Sequence, residues 1–90
     1  MNIFRGTQST FRPADAASFV GPAQTKLLAS SDEAIPVHVY QVQFDSGART
    51  NWHTHSGPQW LLVIEGRIRV QTLGNPAQDM EVGDAVVFAP

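Results

Sequence analysis

Ninety residues with a net charge of −2, 42% hydrophobic and 16% charged, describe one small globular domain with little core to spare. No basic patch is large enough to hold a phosphate backbone, since Arg67 and Arg69 make the nearest thing to a cluster; nucleic-acid binding is therefore not expected. The absence of cysteine removes disulfides, thiolate catalysis and cysteine-ligated metal centres. With no signal-peptide core and no apolar run of membrane length, the chain reads as a cytoplasmic protein with no membrane partner.

The first third is weakly patterned. Residues 11–18 (FRPADAAS) and 30–36 (SSDEAIP) are rich in turn formers, and 23–30 (AQTKLLAS) between them suits a short strand. From Val37 the pattern sharpens. Residues 37–44 (VHVYQVQF) are β-branched and aromatic without a breaker, which predicts a strand. Period two puts His38, Tyr40, Val42 and Phe44 on one face, the face expected to point inward, and Val37, Val39, Gln41 and Gln43 on the other.

A turn around Gly47 leads to a predicted strand over 49–55 (RTNWHTH), with Arg49, Asn51, His53 and His55 sharing one face. After a turn at 56–58, residues 59–65 (QWLLVIE) predict a strand with Gln59, Leu61, Val63 and Glu65 on one face and Trp60, Leu62 and Ile64 on the other. Gly66 opens a tight turn into 67–73, where Arg67 and Arg69 mark an exposed face. Residues 74–78 form a further turn, and 85–89 (AVVFA) form a final strand. Gly47, Gly66 and Gly83 are expected to be turn glycines with positive φ. Short strands at regular spacing, with no segment of helical period, predict an all-β sandwich or barrel.

His53 and His55 are the chemically informative pair. Histidines at i and i+2 on a strand project from one face about 6.5–7 Å apart at Cα, and both imidazoles can lean toward one cation. Gln59 opens the next strand and antiparallel pairing can bring its amide beside them. Imidazole suits divalent transition metals, and a carboxamide oxygen adds a harder neutral donor. His38 is read more simply as a partly buried histidine than as a catalytic base. Trp52 and Trp60 are read as core or dimer-interface residues.

The spacing from Gly47 through His53, His55 and Gln59 to Gly66 resembles the first motif of the cupins, with glutamine in the glutamate position. Residues 83–90 (GDAVVFAP) resemble the opening of the second cupin motif, with Ala89 where proline is usual. The text from Ser46 to Gln71 is most similar to small single-domain cupins, including manganese-dependent hydroxynitrile lyases and the cupins associated with carboxymuconolactone decarboxylases. Those use glutamine as a third protein ligand.

The resemblance implies a double-stranded β-helix, or jelly roll, incomplete at its C-terminus. It implies a single domain, with residues 1–35 an N-terminal arm with edge strands and 36–90 the barrel strands. It also implies one divalent transition metal (Mn, Fe, Ni or Zn, with Mn favoured) held by His53, His55 and Gln59. The family's fourth ligand, a histidine of the second motif, falls beyond Pro90. Tyr40, Val42, Asn51 and Leu61 are the expected substrate-pocket residues. The expected function is a metal-dependent lyase or dioxygenase acting on a small molecule. A non-catalytic ligand-binding cupin and a truncated cupin with a degenerate metal site are the alternatives. An open sheet edge around 85–90 predicts a homodimer, paired through the N-terminal arm.

Overall fold

The computed structural model describes residues 1–31 and 34–90; positions 32–33, inside the turn-rich stretch 30–36, lie outside the described residues. The chain is nearly all β, with nine strands and one short 3-10 helix at Gly6–Gln8 among the described residues. It divides into two compact units, Met1–Trp52 and His53–Pro90. No helix of the described residues is long and apolar enough to cross a membrane.

In the first unit, β1 (Arg12–Pro13), β3 (Ala23–Ser31) and β4 (Val37–Phe44) form an antiparallel sheet in the order β1-β3-β4. The alternating and β-branched character of 37–44 gives the predicted strand. Residues 23–31 make a nine-residue strand, longer than the sequence suggested. A register shift between Leu27 and Ala29 leaves Leu28 without a paired residue and lets the hairpin twist. β3 lies between two neighbours and carries the buried Ala23. β4 is an edge strand. Both its faces are exposed, including Val39 (45%), Tyr40 (55%) and Phe44 (39%), so the expected inward face of His38, Tyr40, Val42 and Phe44 is not covered. His38, expected to be partly buried, is exposed for the same reason, opposite Ser30 on an edge strand with no layer above it.

A second ladder in this unit joins β2 (Phe19–Val20) to β5 (Arg49–Thr50). The Phe19 and Phe44 rings meet at 5.8 Å, tilted by 45°, a favourable aromatic arrangement between β2 and β4. Gly21 ends β2 with φ 82°, where a Cβ would lie 3.1 Å from Ala48 Cα and 3.2 Å from Ala48 Cβ. The backbone there needs glycine twice over, for its left-handed φ and for the close approach of Ala48.

In the second unit, β6 (Gln59–Leu62) pairs with β9 (Ala85–Phe88), and β7 (Arg67–Val70) forms a hairpin with β8 (Gln78–Glu81). Gly66 (φ 72°) and Gly83 (φ 92°) take the positive φ expected of them, as does Gly47 (φ 83°) in the first unit. Alternation is clean in the β7–β8 hairpin. Met80 is buried and faces Ile68, while Arg67 pairs with Glu81 (3.7 Å) and Arg69 with Asp79 (2.7 Å) on the outer face. The hydrogen bond and charge of Arg69 hold the Asp79 carboxyl below its ordinary range, and Asp79 raises the Arg69 guanidinium in turn.

The buried hydrophobic residues are Ala23, Val63 and Met80, while many large apolar side chains stay in contact with water. The strands lie in four separate short sheets, with no sheet closed into a barrel among the described residues.

Two outcomes test these assignments. Gly21→Ala is expected to destabilise by about 2–4 kcal/mol, combining the left-handed penalty of about 1–2 kcal/mol with displacement of Ala48. Gly47→Ala, whose Cβ would meet nothing within 4 Å, is expected to cost only the conformational part; urea unfolding of both variants measures the difference. The Arg69–Asp79 pair contributes where Asp79 is ionised. Its effect is therefore complete above the ordinary carboxylate range and lost as pH falls through the depressed Asp79 value. Because both groups are on the surface, the acid-side slope in wild type that Asp79→Asn removes is expected to be small and to vanish in high salt.

Candidate metal centre

The segment that carries the histidines is shaped by where β5 stops. Sequence period two predicts a strand through His55, yet β5 ends at Thr50. Its partner explains this. Asp15 accepts the backbone N–H groups of Ser18 (3.0 Å) and Phe19 (3.1 Å), and its Oδ1 accepts the N–H of Ala17 (3.0 Å). The chain before β2 therefore turns away, and the last rung is the Asn51 N–H donated to Ser18 O at 2.8 Å. A strand extends only as far as it has something to pair with. Asn51 adds a second tie, its Nδ2 donating to Ala17 O at 2.9 Å. Residues 52–58 follow outside any strand.

His53 and His55 thus lie on no strand, a correction to the expected same-face i, i+2 arrangement. They nevertheless converge. Their ring centroids are 4.6 Å apart with planes at 81°. His53 is exposed and His55 half-buried. Gln59 is half-buried at the start of β6, opposite Phe88, on the same face as Leu61 and the buried Val63. This face is the one the sequence assigns to it.

A metal–nitrogen bond of about 2.1 Å places an imidazole centroid about 3.2 Å from an ion, so two rings ligating at right angles lie about 4.5 Å apart. The observed centroid separation of 4.6 Å is close to that value. The donors available are two neutral nitrogens and a carboxamide oxygen, a set suited to a divalent transition metal. Among the described residues no three His, Cys, Asp or Glu side chains gather as a metal cluster.

The remaining sequence candidates are spread out. Tyr40 and Val42 lie on β4, opposite Leu27 and Thr25, and both are exposed. Asn51 is half-buried and tied to Ala17. Leu61 belongs to the second unit, half-buried opposite Val86. Trp52 (60% exposed), just past the end of β5, and Trp60 (77%), on β6, are not core residues. Sequence reading missed the structural role of Asn51, whose only signal was its place just before the histidines. It also missed an open depression of about 390 Å³ in the first unit, lined by Phe19, Pro22, Ala23 and Asp45, which includes none of the candidate ligands.

Residues 40–90 match the cupin domain family Cupin_2. The chain belongs to the cupins. The matched span holds the histidine pair, Gln59 and all of the second unit. The cupin chain is also similar to an (R)-mandelonitrile lyase from Granulicella tundricola, with 35% identity over 86 residues. The alignment covers 94% of this cupin and 64% of that relative's length, so the chain spans a little under two thirds of it.

Asn51→Ala is expected to cost about 1 kcal/mol in chemical denaturation, the ordinary worth of a lost hydrogen bond. The same variant is expected to increase hydrogen exchange at 51–55 more than in the β7–β8 hairpin, because Asn51 anchors the segment entering the histidines.

Proposed function

We propose that this cupin is a metal-dependent enzyme acting on a small organic substrate, with cyanohydrin cleavage as the leading reaction. The 4.6 Å edge-to-face pair of His53 and His55 carries the reading. The likeness to an (R)-mandelonitrile lyase supports the choice of reaction class. His53 and His55, through ring nitrogens, and Gln59, through its amide oxygen, would hold one divalent transition metal. Manganese is favoured over iron, nickel and zinc by the resemblance of the motif. Bound there, the ion supplies Lewis acidity toward a substrate oxygen.

All three donors are neutral, so none offsets the charge of the ion. A glutamate in place of Gln59 would bind the cation more strongly and blunt that acidity. In cyanohydrin cleavage the hydroxyl proton passes to a base and the hydroxyl oxygen becomes a carbonyl. The carbon–cyanide bond breaks with its electron pair leaving as cyanide. The base is not assigned; His38 is a weak candidate for it, read more simply as a structural histidine of β4. Leu61, which shares a face of β6 with Gln59, is assigned to the pocket wall. A dioxygenase would use the same donors, and oxygen uptake separates the two. The proposed location is the cytoplasm, in keeping with the absence of cysteine.

Elemental analysis after manganese loading is expected to find one metal per chain in wild type. His53→Ala and His55→Ala are each expected to weaken metal binding at least tenfold, whereas His38→Ala should leave metal content unchanged. Gln59→Glu is expected to tighten metal binding and slow release of benzaldehyde from (R)-mandelonitrile. Wild-type protein without stoichiometric metal would overturn the assignment.

A further inference from the structure

The ladder of β6 and β9 gives the candidate ligand Gln59 a fixed set of neighbours. Its register pairs Gln59 with Phe88 and Leu61 with Val86, so these four side chains rise from one face, while Trp60, Leu62, Ala85 and Val87 rise from the other. Burial separates the two faces. Gln59, Leu61, Val86 and Phe88 are all half-buried, and Val63, next in the alternation, is 4% exposed. On the opposite face Trp60 is 77% exposed and Val87 51%. Two further rungs, Val63 N–H to Asp84 O (3.0 Å) and Gly83 N–H to Val63 O (2.9 Å), carry the pairing on past the strand ends and keep the alternation in step.

Direct partners in an antiparallel ladder have Cβ atoms about 4.5–5.5 Å apart, and strand side chains stand roughly perpendicular to the sheet. Phe88 is therefore the immediate cross-strand neighbour of the Gln59 side chain. Leu61 lies on the diagonal from Phe88, a separation an aromatic side chain spans. Gln59 is the one polar side chain among these five, so the face joins an amide to an aromatic ring and three aliphatic side chains. Val63 is closed off, whereas Phe88 keeps part of its surface open. An aromatic ring is favoured beside another ring, edge to face or offset, beyond what the buried area alone supplies.

We infer that Phe88 is a specificity-determining residue of the candidate centre: its ring, with Leu61 and Val86 beside it, receives the aryl group of a substrate whose hydroxyl oxygen lies at the donor set that includes Gln59. On the metal-dependent reading of His53, His55 and Gln59, on which this role depends, the substrate class narrows to cyanohydrins with an aromatic ring on the hydroxyl-bearing carbon. An aliphatic cyanohydrin reaches the same donors and leaves the Phe88 ring without an aromatic partner. Phe88 moves no proton and holds no ion, so it selects the substrate and is not a catalytic residue.

Two measurements on the full chain test this role. The first is kcat/KM of the manganese-loaded chain for (R)-mandelonitrile and for acetone cyanohydrin. Phe88→Leu and Phe88→Met keep an apolar side chain and remove the ring; each is expected to lower kcat/KM for mandelonitrile about tenfold and to change that for acetone cyanohydrin less than about threefold. Phe88→Tyr keeps the ring and is expected to keep the wild-type preference. Trp60→Leu, an equivalent loss of a ring on the opposite face of β6, is expected to leave the ratio unchanged. Metal content is expected to equal that of wild type in every variant, and far-ultraviolet circular dichroism identifies any that fails to fold. The second measurement needs neither turnover nor a variant: intermolecular nuclear Overhauser effects between the Phe88 ring protons and the ring protons of benzaldehyde, in the zinc-loaded and the metal-free wild-type chain. Their presence supports the contact. Wild type that takes up no metal would overturn the metal assignment, and the metal-free spectrum would still read the Phe88 contact by itself. Absence of the Overhauser effects, or a folded Phe88→Leu or Phe88→Met chain with the wild-type substrate ratio, would overturn the role of Phe88.

Discussion

The length of the β2–β5 ladder governs the candidate centre. Backbone groups must be paired, and a strand persists only while its partner does. The Asp15 turn bends the partner away after Ser18, so pairing ends at Asn51. Beyond the ladder, the rings of His53 and His55 meet edge to face at 4.6 Å.

Alternation along the strands is what the sequence encodes most plainly. The extent of 37–44, the two faces of 59–65, the charged outer face of 67–70 and the positive φ of Gly47, Gly66 and Gly83 all followed from residue type and period. Each of those is a local property. What period two cannot report is whether a partner strand or a second layer exists. The strand predicted over 49–55 fell short because its partner turns at Asp15, 38 residues before His53 in sequence. His38 was read as partly buried because its face of 37–44 carries Tyr40, Val42 and Phe44, and on an edge strand it is exposed. The candidate centre was legible in its residue types and in the glycine frame around it. The way its rings meet was not, because that depends on the end of a ladder.

The second unit shows how one pleated scaffold can make two surfaces of different purpose. Both strand pairs alternate, and both have an inner face that is mainly apolar with one glutamine, Gln59 in β6–β9 and Gln78 in β7–β8. The difference lies wholly in what the outward positions carry. Paired charges across β7–β8 are compatible with water and contribute little individually to stability. Tryptophan, leucine and valine across β6–β9 are stabilised only when something removes them from water. The contrast is sharper evidence for coverage than exposure alone, since isolated apolar residues are common on protein surfaces.

The small buried core among the described residues and the proposed metal centre bear on one another. With Ala23, Val63 and Met80 as the buried hydrophobic residues, the fold draws little from its interior. Small domains in this position gain stability from ligation or association. Residues 52–58 have no ladder to order them, so a cation bridging His53, His55 and Gln59 would fix the segment while it formed its own site.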